Sequence, residues 1–160
     1  MDPVMEGVMQ GLELNSHLYK GALAGLSREQ LNRRCGPDSS PVIWLAGHLV
    51  SGRYGMAELS GMDGGAPWQD LFKRHSKIVE PASYPEVAEI EEAWLGISER
   101  LTRRLRSLTN AKLDSPSPRT FPVVDKSVRG GLAFLVWHET YHVGQMGFVR
   151  KWLGFESLVS

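Results

Sequence analysis

The sequence predicts an all-α protein, a four-helix bundle with long loops between the helices. Four segments repeat apolar residues every three or four positions, and no segment alternates apolar and polar residues as a strand does. The chain of 160 residues is long enough to bury a hydrophobic core without disulfides, and it has the length of one domain. We therefore expect residues 1–160 to form a single domain in which four helices pack together.

The first two predicted helices begin at prolines. The first runs from about Pro3 to Leu26, because Asp2 is a favourable N-cap and proline suits the first helical position. The second runs from about Pro41 to Leu59, with Ser40 as its cap. The polar stretch between them, residues 27–40, is predicted to be a loop.

The third and fourth predicted helices carry other end signals. The third runs from about Pro85 to Leu108, and Ser83 and Glu86 have the spacing of a capping box at its start. The fourth runs from about Ser127 to Leu153 and stops before Gly154, as helices commonly do at glycine.

The two remaining connections are long. Residues 60–84 are rich in glycine and proline, but Trp68, Leu71 and Phe72 within them predict a short helical turn packed on the bundle. Residues 109–126 contain three prolines, which exclude a continuing helix. Because the second connection is long, it permits a crossover, so consecutive helices need not simply alternate up and down.

The composition excludes several classes of protein. Lys plus Arg and Asp plus Glu each number 18, so the chain lacks the basic excess of a nucleic-acid-binding protein. No apolar run approaches the ~18 residues that a membrane-spanning helix needs. The single cysteine, Cys35, cannot form an intrachain disulfide, which suits a reducing compartment. We expect a cytoplasmic protein that binds neither nucleic acid nor membrane.

Three of the five histidines are predicted to point into the bundle. His138 and His142 lie on one apolar face of the fourth helix, ~40° apart around its axis, and His48 lies on the apolar face of the second. A single metal ion would satisfy all three, whereas each buried imidazole left unpaired costs ~1–3 kcal/mol. Alternatively, each is a core histidine with one hydrogen bond. His17 and His75 are predicted to be solvated.

Residues 138–142 also spell H-E-x-x-H, the zincin signature, in which Glu139 would be the general base of a metalloprotease. Gln145 and Phe148 occupy the positions where the extended metzincin motif has glycine and histidine. Glu156 is the only acidic residue after the motif that could supply a third ligand. No strand offers an edge for a peptide substrate. The hydrolase is therefore the weaker alternative.

The second and fourth helices together resemble a known family. The segments W-L-A-G-H-L at 44–49 and H-E-T-Y-H-V-G-Q at 138–145 are similar to those of the DinB-like (YfiT-like) superfamily. The resemblance implies a four-helix bundle that holds a divalent metal, zinc or nickel, through three histidines: His48, His138 and His142. It also implies thiol-dependent S-transferase or isomerase chemistry, with a low-molecular-weight thiol as cosubstrate and a small-molecule substrate.

Other residues of the fourth helix are candidates for roles beside the metal. A metal held by three neutral imidazoles would ease loss of a proton from bound water or thiol. Glu139 is expected to accept an imidazole N–H or move a proton, or equally to be a glutamate at a helix interface. Gln145 is expected either to form a hydrogen bond within the site, where it would be a cofactor-binding residue, or to form one with the backbone of a neighbouring helix. Val143 stands where the resembling family has arginine, which removes a charge.

The fourth helix is apolar on two sides. Ala133, Val136, Val143 and Gly147 lie roughly opposite the histidines. A helix that is apolar all round is buried all round, either beneath the long loops or in a homodimer. Dimers are common in the resembling family, which favours the homodimer.

Three functions remain open from the sequence. The leading hypothesis is a metal-dependent transferase that uses a low-molecular-weight thiol. The second is a metal-binding or dimeric scaffold without turnover, which a closed site would favour. The third is a zinc metallohydrolase, which a peptide groove beside Glu139 would favour.

Overall fold

The structure, a computed structural model, describes residues 2–159. Its four long helices are α1 (Pro3–Leu23), α3 (Val42–Leu59), α5 (Val87–Arg106) and α7 (Val128–Trp152). Between them lie the short helices α2 (Arg28–Asn32), α4 (Gln69–Phe72) and α6 (Asn110–Asp114) and a 3-10 turn at Pro81–Ser83. Within the described residues there is no strand, and one isolated bridge joins Pro116 to Ser127. The all-α prediction is confirmed.

Two clusters of buried apolar residues define the directions of the long helices. One cluster draws on the C-terminal halves of α1 and α7 and the N-terminal halves of α3 and α5. The other cluster draws on the opposite half of each helix. The bundle order is therefore up, down, down, up. Because α3 and α5, the second and third of the long helices, are parallel and in contact, the chain between them crosses the length of the bundle.

The end of α1 and the start of α5 differ from the predicted positions. α1 ends at Leu23 rather than Leu26, because Gly25 adopts a φ of +75°, which is outside the helical region. α5 begins at Val87, because the capping box is formed by Glu86 and Glu89 and not by Ser83.

Two segments predicted to be loops contain short helices. In α2, Ser27 and Gln30 form a capping box, and in α6 the Thr109 hydroxyl accepts a hydrogen bond from a first-turn amide. Each short helix buries one leucine, Leu31 or Leu113, in the bundle. These contacts stabilise helices that are too short to persist alone.

The side of α7 opposite the histidines is covered by the chain itself. Val136 packs on α1, where a Cβ added at Gly11 would lie 2.6 Å from its side chain. Gly147 faces Leu158 near the C-terminus, and Val143 is buried in the core. Intramolecular packing therefore accounts for the apolar character that suggested a dimer interface at these positions.

None of the helices formed by residues 2–159 combines the length and the apolar character that crossing a bilayer requires.

Candidate metal centre

The antiparallel packing of α3 against α7 brings three histidines together. His48 lies on α3, and His138 and His142 lie one turn apart on α7. One ring nitrogen from each lies within 4.8 Å of the others. Two further histidines, His17 and His75, are exposed and take no part in this cluster.

Hydrogen bonds fix the orientation of two of the three rings. The Nδ1–H of His48 donates to the carbonyl oxygen of Phe72 at 2.7 Å. The Nδ1–H of His142 donates to Oε1 of Gln145 at 2.6 Å. Each bond selects the tautomer whose Nε2 carries a free lone pair, which is the form that ligates metals.

The donor set fits a divalent transition metal. Nε2 of His142 lies 3.0 Å from Nε2 of His138, so a lone pair of one ring faces the nitrogen of the other. A cation shared between the two rings satisfies both nitrogens. Imidazole suits zinc and nickel, and three protein ligands leave a coordination position open, as in catalytic zinc sites.

Burial keeps the three imidazoles neutral near pH 7. Desolvation is the main cause that lowers the pKa of His48 and of His142 below the ordinary 6.5. The pKa of His138 falls to about 4, first through desolvation and then through coulombic interactions with His142, His48 and Arg74. Protons therefore compete weakly with a metal at neutral pH.

The segment from α4 to Ser76 is docked onto α3 beside His48. The Trp44 ring stacks on His48 with centroids 4.8 Å apart, and its Nε1–H donates to Leu71 O at 3.1 Å and Ser76 Oγ at 2.9 Å. Phe72 is fully buried and lies directly over Gly47. The predicted helical turn in this connection is confirmed, and its backbone supplies the carbonyl that orients His48.

Gly47→Ala tests this docking. The added Cβ would lie 2.4 Å from the Phe72 ring, so we expect a loss of ~1–3 kcal/mol in unfolding free energy from overpacking. Displacement of Phe72 should also weaken zinc binding, because its carbonyl orients His48. Urea denaturation and a zinc competition titration measure the two effects.

Gly96→Ala is the matched control, because this helical glycine of α5 is exposed and an added Cβ meets nothing within 4 Å. It should gain up to ~1 kcal/mol from helix propensity. Equal stability of the two alanine variants would contradict the docking argument.

A cleft of about 790 Å³ opens beside the histidines. His48 and His138 border it, and its walls come from α3, α7 and the two long connections. The apolar residues in its lining include Phe72, Phe121, Phe134 and Leu135. The charged residues include Glu58, Asp63, Arg74 and Arg119. The histidine cluster is thus accessible to a small molecule.

Comparisons with known proteins agree with the fold. A family model described as the DinB superfamily matches residues 12–146. The chain belongs to the DinB superfamily.

Among solved structures, a DinB-superfamily fold is shared with YfiT from Bacillus subtilis, described as a probable metal-dependent hydrolase with an unusual four-helix bundle topology. The TM-score is 0.65 at 18% identity, over 95% of this chain and 89% of that one. No curated protein matches the chain significantly.

In this member of the DinB superfamily, Glu139 does not contact the imidazoles with its carboxylate. Its two oxygens accept hydrogen bonds from Nε and Nη2 of Arg53, each at 2.9 Å, and both side chains are 2% exposed. Sequence reasoning missed Arg53. The available signal was its position between Leu49 and Met56 on the apolar face of α3, where a charge needs a buried partner.

The other candidates on α7 of this DinB-superfamily chain lie in different surroundings. Gln145 binds His142, as described, and its amide donates to the Tyr141 hydroxyl at 3.3 Å. Val143 faces the core rather than the cleft. Trp137 is 62% exposed on the outer face of α7.

Proposed function

We propose that this protein is a metal-dependent enzyme that uses a low-molecular-weight thiol to modify a small electrophilic molecule. His48, His138 and His142 would hold one divalent ion, zinc or nickel. The observation that carries the proposal is the convergence of three neutral imidazoles, within 4.8 Å of one another, at the edge of an open cleft. When bound there, the ion supplies a positive charge that lowers the pKa of an adjacent thiol or water.

The residues around the histidines would keep this site ordered. The Phe72 carbonyl and the Gln145 amide hold two rings in the tautomer that ligates, and Trp44 covers one face of His48. The cleft volume of about 790 Å³ falls within the ~300–1,000 Å³ typical of small-molecule pockets. A thiol cosubstrate and a small substrate would both approach from this side.

The geometry favours a transferase over the two alternatives. A scaffold needs no access to its metal, whereas two of the three histidines border the cleft. A zincin-type hydrolase needs a glutamate free to activate water, whereas Glu139 is buried and both of its oxygens bind Arg53. YfiT, which shares the fold, is described as a probable metal-dependent hydrolase, so hydrolysis is a specific outcome to test.

A conjugation assay tests the proposal. Zinc- or nickel-loaded protein is incubated with a chloronitrobenzene electrophile and one of several small thiols, with glutathione as the first, and adduct formation is followed by absorbance. We expect a rate that requires both the metal and the added thiol. The rate should survive Cys35→Ser, because the nucleophile belongs to the cosubstrate.

The controls distinguish the three functions. His17→Ala should retain the activity and His142→Ala should lose it. Ester or peptide cleavage without thiol would replace the transferase with a hydrolase. Retention of metal without turnover in either assay, across the thiols tested, would favour the scaffold.

We also propose a homodimer, through the outer face of α7. Four exposed aromatic residues lie within ~60° around the helix axis: Trp137, Tyr141, Phe148 and Trp152. Gly144, also exposed, lies between the inner two. The four positions are symmetric about the point midway between Gly144 and Gln145, so a two-fold axis there would place each tryptophan opposite the other tryptophan of the partner. Exposed aromatic patches of this kind mark protein interfaces.

Light scattering at micromolar concentration tests the dimer. We expect about twice the chain mass of 17.8 kDa, and Phe148→Glu should reduce it to the monomer mass by burying a charge in the interface. Leu95→Glu, at an exposed leucine of α5, is the matched control and should stay dimeric. A monomeric wild-type protein would rule out the interface.

A further inference from the structure

We infer that the buried ion pair between Arg53 and Glu139 is a positioning device for the histidine cluster. In this view it sets the register of α3 against α7, and so brings His48 against His138 and His142. The inference builds on the proposed metal site. It gives the glutamate of the H-E-x-x-H segment a role different from that of a general base.

Every polar group of the pair has a partner. Nε and Nη2 of Arg53 bind the two oxygens of Glu139, each at 2.9 Å. Nη2 also donates to Leu12 O at 3.0 Å, and Nη1 donates to the Ser98 hydroxyl. The guanidinium lies 3.6 Å from the centroid of the Trp94 ring. The pair therefore ties α3 and α7 to each other and to α1 and α5.

The pair lies on the same two helices that carry the ligands. Arg53 follows His48 by five residues on α3, and Glu139 is adjacent to His138 on α7. A slip of one helix past the other by one turn, ~5.4 Å, would separate the charges and the histidines together. Apolar ridges repeat at every turn and resist such a slip weakly, whereas a bidentate Arg–carboxylate pair forms in one register only.

Stability alone does not account for a charge pair in the core. Desolvation of two ions largely offsets their attraction, and well-packed apolar replacements are often neutral or stabilising. Specification of register is the best-attested use of a buried polar interaction. Because this pair lies next to the histidines, the register that it specifies also determines the geometry of the three ligands.

The double variant Arg53→Met/Glu139→Leu tests the inference. It removes both charges and keeps approximate volume, so its helical content and melting temperature should match the wild type. Its zinc affinity, measured against a chelating dye, should fall ~10- to 100-fold, the range for residues that orient metal ligands. The absorption spectrum of the cobalt-substituted protein should change as well. Arg104→Met is the control, because Arg104 hydrogen-bonds Ser60 O at the C-terminal end of α3, and it has no hydrogen bond to α7.

A measurement without metal separates this inference from the proposed function. The rings of His48 and His142 have centroids 4.9 Å apart, so metal-free wild-type protein should show nuclear Overhauser contacts between them. The double variant should lose these contacts. If wild-type protein binds no zinc but the contacts respond as expected, the proposed function fails and the positioning role stands.

Wild-type zinc affinity and intact ring contacts in the double variant would overturn the inference. If the double variant does not fold, Arg53→Lys decides. Lysine keeps the charge but lacks the planar fork, so weakened zinc binding and ring contacts support the positioning role. Unchanged values for both readouts in the lysine variant contradict it.

Discussion

Replacement of His138 by alanine is expected to remove most of the bound divalent metal. Its Nε2 lies 3.0 Å from that of His142, so the variant loses one of the nitrogens that converge on the candidate metal position. We expect zinc affinity to fall by more than the ~10- to 100-fold typical of residues that only orient ligands. Metal analysis of purified protein, followed by competition with a chelating dye, measures the loss.

The other histidines of the chain are controls for this result. His17→Ala and His75→Ala remove exposed imidazoles outside the cluster, and both variants should retain wild-type metal content. Because His138 is only partly buried at the edge of the cleft, its alanine variant should remain folded. Full occupancy in His138→Ala would defeat the proposed metal site.

The second large effect is on stability. Glu139→Leu leaves the Arg53 guanidinium charged and without its carboxylate in the core, where both side chains are 2% exposed. Breaking a buried pair in this way costs ~3–5 kcal/mol, a large part of the ~5–15 kcal/mol that stabilises a typical domain. Guanidinium chloride denaturation followed by circular dichroism measures the loss. Addition of Arg53→Met to the same variant should recover most of it.

Glu92→Leu provides the comparison on α5, because Glu92 is exposed. A surface change of this kind is expected to alter the unfolding free energy by no more than ~0.5 kcal/mol. If Glu139→Leu were as stable as Glu92→Leu, the Arg53 guanidinium would have to be solvated by water or by another partner in the variant. The description of Arg53 as a fully buried charge would then be wrong.

The long helices were predictable because each repeats its apolar face over five or more turns, which averages out local exceptions. α7, predicted to run from Ser127 to Leu153, spans Val128–Trp152. The short helices α2 and α6 were not predictable in the same way, since five residues hold too little periodicity. Their capping residues, Ser27 and Thr109, were the only signals.

The inward position of the three histidines could be predicted, because the face of a long helix on which a residue lies follows from residue spacing. The contacts that orient them could not be found in this way. The bond from His48 to Phe72 ends on a backbone carbonyl, which every residue possesses, so no side-chain pattern marks it. The partner of Glu139 could not be predicted either, because it depends on which helices are neighbours in the bundle. That arrangement depends on the crossover between α3 and α5.

The order up, down, down, up also has a consequence for how the chain reaches this state. Two long helices far apart in sequence, α1 and α7, pack against each other, so α1 lacks its main partner until α7 has been synthesised. Contacts of such high sequence separation slow folding relative to a bundle of successive hairpins. His48, on α3, likewise cannot contact His138 and His142 until α7 has been synthesised and has packed. The histidine cluster should therefore be among the last parts of the molecule to form, and a nascent chain that lacks α7 would have a bundle that is open along one side.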